Sequence, residues 1–283
     1  MKSIHTLIED INEVIKQKGG WDKTVTEYFN ALAGSTMERR FTKTDEEYTK
    51  TLRMSNIGTP CHRKLWYHLN SDTPATELSP STLLKFAYGD IVEALLLSLA
   101  KAAGHKVEGE QDECYAYGIK GHRDAVIDGY TVDVKSASTI GFNKFKYNSL
   151  RADDPFGYIQ QLTGYVHAGK DDPLVTNKSH GAFLVMDKQH GHICLDIYDL
   201  SPELALLERK VKEVKAFSAL PIEPERGFKP VPEGKSGNMK LPAGCSYCDH
   251  KSECWPKARK FMYSTGPVWL TTVVKTPQVP EIK

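Results

Sequence analysis

A surplus of charge of either sign is missing from this chain: 37 Lys and Arg stand against 36 Asp and Glu in 283 residues. No global field therefore favours a polyanionic or polycationic partner, and any preference must come from local patches. Long apolar runs are missing too. The amino terminus carries no apolar core of a secretory signal. The stretch around Leu95, Leu96 and Leu97 is interrupted by Asp90, Glu93 and Lys101, so it reads as a buried helix and not as a membrane span. Without an export signal the expected compartment is the reducing cytoplasm, where disulfides are excluded and clustered cysteines favour metal binding. No internal repeat is present.

What is there divides along the chain. Residues 1–50 read as a helical lead-in, with Ile4, Leu7, Ile8, Ile11 and Ile15 at helical spacing and a second helix from about Asp22. Residues 51–220 read as an α/β core: a long helix from about Ser81 to Ala103, strands, a basic loop, and a helix through Gln161 and Tyr165. Residues 221–263 form a Pro- and Gly-rich linker leading to a cysteine-rich knot, and 264–283 read as a loose tail.

The most informative segment is Gly121 to Ser136. Asp128-Gly129 is the dipeptide typical of a two-residue type I′ hairpin. Counting outward from that turn puts Asp124 across from Asp133, and His122 across from Lys135 on the same face. Ala125, Ile127, Tyr130, Val132 and Val134 form the opposite, core-facing set. Like charges facing each other across strands are destabilising, so two facing carboxylates point to a cation. Glu93, on the long helix, is placed to add a third carboxylate, with Asp90 as its substitute. Hard ions such as Mg²⁺ or Mn²⁺ take oxygen ligands, which Asp124, Asp133 and the Val134 carbonyl can supply. Lys135 then stands beside an attacking water as stabiliser or proton-transfer partner. Gln161 and Tyr165, four apart on one helix face, would position the substrate strand or the lysine.

The order Gly89-x-x-x-Glu93, Asp124, Asp133-x-Lys135, Gln161-x-x-x-Tyr165 resembles the RecB-like branch of the PD-(D/E)XK nuclease superfamily. That resemblance implies a mixed central sheet flanked by helices, with the metal site on the hairpin. It also implies phosphodiester hydrolysis with one or two Mg²⁺ or Mn²⁺ ions, 5′ to 3′ on single-stranded or end-processed DNA. Proteins of this kind serve recombination, repair, phage replication or CRISPR adaptation in bacterial, archaeal or phage-infected cells, so recombination or adaptation proteins are the implied partners. The alternatives are a structure-specific endonuclease and a non-catalytic iron-sulfur DNA-binding protein.

Cys245, Cys248 and Cys254 make three ligands of a four-thiolate site, and Cys61 is the candidate fourth because its loop carries basic residues beside it. Four thiolates hold zinc or a [4Fe–4S] cluster. One distant cysteine with a local triplet is similar to the spacing of the AddB and CRISPR-associated iron-sulfur nucleases, and the cluster is preferred here over zinc. Cys114 and Cys194 read as small buried residues of strands. Arg63 and Lys64, beside Trp66 and Tyr67, and Lys144 and Lys146 in the basic loop are candidates for contact with single-stranded DNA.

Overall fold

The computed structural model describes residues 2–17, 19–42, 50–72, 80–246 and 248–282. Two helices lead in: α1 (Leu7–Gln17) and α2 (Lys23–Phe41), the latter begun by Asp22, whose carboxylate accepts the Val25 N–H at 2.9 Å. The second helix runs on through the polar stretch after Gly34 to Phe41. Residues 43–49 of the expected lead-in lie outside the described residues. Then follow α3 (Met54–Ile57), α4 (His62–Asn70) and the long α5 (Pro80–Ala102).

Five strands follow: β1 (Val107–Glu108), β2 (Glu113–Ala116), β3 (Ile119–His122), β4 (Ala125–Ile127) and β5 (Tyr130–Ala137). After β5 come α6 (Thr139–Lys146), α7 (Tyr158–Ala168), β6 (His180–Asp187), β7 (Ile193–Asp199) and α8 (Ser201–Ser218). The central sheet runs β1-β4-β5-β6-β7. Its β5–β6 pair is parallel and its other pairs are antiparallel. A parallel pair needs a crossover, and α6 and α7 supply it. This is a mixed sheet flanked by helices.

Each face of that sheet has its own core. Ala125, Ile127, Val132, Val134, Ala182 and Leu184 pack against α1 and α5 through Leu7, Ile11, Val92 and Leu96. On the other face Phe183, Val185 and Tyr198 meet Phe142 and Phe145 of α6 and Ile159, Leu162 and Val166 of α7. A third cluster joins Met54, Ile57, Ala116, Ile119 and Tyr165 to Leu207 and Val211 of α8. The alternation read from the sequence thus places the apolar set of the hairpin on α1 and α5.

Two local expectations are corrected. The basic loop is the helix α6, because Ser138 accepts the Gly141 N–H and caps it, while Phe142 and Phe145 supply a buried face. Asp154 shapes the turn that leads into α7. Its carboxylate accepts the N–H groups of Gly157 and Ile159, and the helix starts after Gly157, whose φ is +76°.

The carboxyl-terminal tail is not loose. The remaining elements are β8 (Val231–Pro232), β9 (Met239–Lys240), α9 (Ala243–Ser246), α10 (Lys251–Cys254), β10 (Arg259–Tyr263), β11 (Gly266–Thr272) and β12 (Glu281–Ile282). Their strands form a second five-stranded sheet in the order β12-β10-β11-β9-β8, centred on buried Phe261 and Leu270. Among the described residues no helix is long and apolar enough to cross a membrane.

Candidate active site and cysteine cavity

The hairpin that organises the site forms by its predicted register: Ile127 faces Tyr130, Val126 faces Thr131, and Ala125 faces Val132. Asp128 and Gly129 both have positive φ, 48° and 84°, as a type I′ turn requires. One step beyond Ala125 the ladder changes character. Asp124 meets β5 through its side chain, Oδ2 accepting the Val134 N–H at 2.6 Å, while its backbone oxygen accepts the N–H of Gln111 at 3.3 Å. Val134 therefore contributes its backbone to this site and its side chain to the core.

His122 does not continue the hairpin. It lies on β3, which pairs with β2, so it faces Glu113 (Nε2–Oε2 3.8 Å) and not Lys135. The chain turns away between Gly121 and Asp124 because Arg123 is pulled inward. Its guanidinium is buried between Asp112 (2.6 Å) and Asp172 (2.5 Å).

Glu93, Asp124, Asp133 and Lys135 form one electrostatic group. Asp133 is buried, with Oδ2 ion-paired to Lys135 and Oδ1 without a hydrogen-bond partner. Burial raises the Asp124 pKa well above the ordinary range, and the charges of Glu93 and Asp133 push it further. Burial also lifts Glu93 to about 7; a hydrogen bond from Gln111 opposes the rise, while Asp133 and Asp90 add to it. Asp133 is raised by burial and held back by Lys135. For Lys135 burial acts downward, but Asp133 and Asp124 outweigh it and hold the ammonium above the usual lysine range. The Tyr158 ring lies 5.1 Å from Lys135 Nζ.

The long helix settles which acid faces the group. Asp90 is taken by Arg40, with Nε at 2.5 Å, leaving Glu93 toward Asp124. Close packing of α5 on the end of β5 helps place it, since a Cβ on Gly89 would come within 3.3 Å of Ser136 Oγ. From α7, Tyr165 is buried, its pKa raised by burial and by the charges of Asp133 and Asp124. Gln161 donates to its hydroxyl at 3.4 Å.

These side chains fit a hard divalent cation in chemistry. All donors are oxygens, three carboxylates face one ammonium, and Asp133 Oδ1 is buried without a hydrogen-bond partner. Burying an unpaired carboxylate oxygen is costly unless a cation compensates. Among the described residues no three Asp, Glu, His or Cys side chains converge tightly enough to cage a single ion.

The second site is a small cavity lined by Cys61, Cys245, Cys248 and Cys254 together, with Lys64 and Lys251 on its wall. The four cysteines are free thiols drawn from opposite ends of the sequence. Burial pushes the thiol of Cys245 up to about 11 and raises those of Cys248 and Cys254. The loop at Gly227 approaches so closely that a Cβ there would lie 2.7 Å from Cys61 Cα. Four cysteine sulfurs lining one cavity match the ligand number of either a zinc ion or a [4Fe–4S] cluster. His250, 8% exposed, stacks on Tyr67. Cys114 and Cys194 lie half-buried in β2 and β7, apart from this group, with thiols raised by burial to about 11 and about 12.

The basic candidates are less available than expected. Arg63 is bound to Glu223, to the Pro224 carbonyl (3.1 Å) and to the Tyr67 hydroxyl, so it fastens the 221–227 segment. Lys144 pairs with Asp153 at 2.6 Å; Lys146 is exposed beside Tyr147. Trp66 donates its indole N–H to the Leu220 carbonyl at 2.8 Å. Sequence reasoning missed Gln111, which no periodicity marks, and the structure puts it against Glu93.

No family model matches the chain, and no curated protein matches it. Among solved structures the chain is similar to one described as "Crystal structure of SSO0001", at 16% identity and a TM-score of 0.43. The match covers 80% of this chain and 95% of that one.

Proposed function

We propose that this protein is a metal-dependent deoxyribonuclease of the PD-(D/E)XK type with a RecB-like core. The observation that carries the reading is the buried group of Glu93, Asp124 and Asp133 around Lys135, assembled from α5, the β4–β5 hairpin and β5. Asp124 and Asp133 would hold one or two Mg²⁺ or Mn²⁺ ions, with Glu93 as the third acid and the Val134 carbonyl beside them. When bound, such an ion supplies charge neutralisation at the scissile phosphate and acidifies water.

The chain's own groups do the rest. Lys135, kept protonated by Asp133 and Asp124, offers fixed positive charge to developing negative charge on phosphate oxygens. This makes it a stabiliser and not a base. Tyr158 limits where its ammonium can swing. Tyr165 and Gln161 line the same group from α7 and orient the strand or the lysine. The preferred substrate is single-stranded or end-processed DNA, degraded from a free end with 5′ to 3′ polarity. The cysteine cavity holds a [4Fe–4S] cluster, with zinc as the alternative occupant.

The test is degradation of labelled linear single strands with Mg²⁺, with Mn²⁺ and with EDTA. Wild-type protein should cut only with metal, and Asp124→Ala, Asp133→Ala and Lys135→Ala should each fall at least about 100-fold. Equal cutting by all three variants would end the proposal. Cleavage of covalently closed circles would turn it toward a structure-specific endonuclease.

A further inference from the structure

Gln111, like Tyr117, Asp128 and Asn148, is a non-glycine residue with positive φ. Its φ is +57°, a left-handed conformation that non-glycine residues seldom adopt and that persists when the surroundings enforce it. The enforcement is visible. Arg123 holds the loop around it, Nε donating to the Gly109 carbonyl at 3.2 Å and Nη2 to Asp112 at 2.6 Å. The Arg123 N–H donates to the Asp112 carbonyl at 3.2 Å. A side chain at Gly109 would run into that guanidinium, its Cβ 2.5 Å from Nη2.

So held, Gln111 reaches two elements at once. Its backbone N–H donates to the carbonyl of Asp124 at 3.3 Å, and its Nε2 donates to Glu93 Oε1 at 2.7 Å. One residue thus ties the acid of the long helix to the acid of the hairpin. We propose that Gln111 is a positioning residue that fixes the Glu93 carboxylate relative to Asp124, so that both face the same cation. The inference rests on the reading of these acids as a metal site.

Gln111→Gly isolates the side chain, because glycine adopts positive φ freely and keeps the backbone N–H to Asp124. Gln111→Asn tolerates the same backbone but falls one methylene short of Glu93. Mn²⁺ binding to the full-length protein, followed by electron paramagnetic resonance, should weaken about 10-fold or more in both variants, as for loss of a group that orients a ligand. Thermal stability should be unchanged or higher in Gln111→Gly. In a Glu93→Ala background Gln111→Gly should cause no further loss, because the residue acts through Glu93. A merely structural role would not give that non-additivity.

Wild-type Mn²⁺ affinity in Gln111→Gly, or full additivity with Glu93→Ala, would overturn the positioning role while leaving the metal site standing. Failure of wild-type protein to bind Mn²⁺, or undiminished binding by Asp124→Asn, would overturn the metal site and this inference with it.

Discussion

Glu93 shows at the scale of one residue how the site stores instability. A free glutamate releases its proton near 4.5, whereas burial holds folded Glu93 to about 7. Between those values the folded chain binds more protons than the unfolded one, so this group's contribution to stability falls as pH rises. His62, His68, His167 and His250, lowered by burial, act in the opposite sense on acidification. The difference between wild type and Glu93→Gln removes them. In metal-free protein that variant should gain about 2 kcal/mol relative to wild type between pH 5 and pH 8, one pKa unit being worth ~1.4 kcal/mol. Millimolar Mg²⁺ should erase the gain by stabilising the wild-type carboxylate. Denaturant titrations at the two pH values, with and without Mg²⁺, check this. A variant no more stable than wild type at pH 8 would show that Glu93 is not held under strain.

At the scale of elements, the position of α7 depends on a contact between two glycines. Gly157, where α7 begins, has φ +76°, and its backbone touches that of Gly58 just after α3 so closely that a Cβ on either would overlap the other. Gly157→Ala therefore meets both backbone strain and steric overlap. It should cost about 2–4 kcal/mol, a fall in Tm of roughly 5–10 °C, and should shift Tyr165 and Gln161 away from Asp133. Gly191 has φ +73° with open space around it, so Gly191→Ala carries strain alone and should lose clearly less. Differential scanning calorimetry of the two variants separates the terms. Equal losses would mean that the α3–α7 contact contributes nothing.

Elements also mark how far the sequence could be read. The hairpin was legible because Asp128-Gly129 permits positive φ at both turn positions and the alternation around it gives the register. The long helix and the helix bearing Gln161 and Tyr165 were legible by periodicity. His122 was not, because buried Arg123 ends the ladder, and an ion pair to Asp172, 49 positions on, leaves no local pattern. The helical state of 139–146 was hidden by its lysines, although Ser138 and the Phe142–Phe145 spacing carried the signal. The strands β10 and β11 escaped because proline and lysine within them mask alternation that only Phe261 and Leu270 reveal.

For the whole molecule, the cysteine cavity is the joint between the two sheets. Cys61 stands at the head of α4, while Cys245 and Cys254 lie on α9 and α10 with Cys248 between them, in the segment that joins β9 to β10 of the second sheet. The joint is reinforced around the cavity. Arg63 binds Glu223 and Pro224, Arg226 donates to the Cys254 carbonyl at 2.7 Å, and its guanidinium lies 4.2 Å from the Trp255 ring centre. Burial disfavours the thiolates of Cys245, Cys248 and Cys254 without metal, so an occupied cavity should be worth far more than these bonds alone. Anaerobically purified protein should be brown, with broad absorbance near about 400 nm, and Cys61→Ser should lose that band. Without the joint, trypsin should cut after Arg226, in the segment between α8 and the second sheet, at least about tenfold faster, releasing the second sheet from the core before the core itself is cut. Iron and zinc content, measured on the same preparations, decides the occupant. A colourless wild type carrying stoichiometric zinc would keep the joint and change its metal. A Cys61→Ser protein with undiminished absorbance and wild-type resistance at Arg226 would show that Cys61 holds nothing and that the second sheet is secured by side-chain contacts alone.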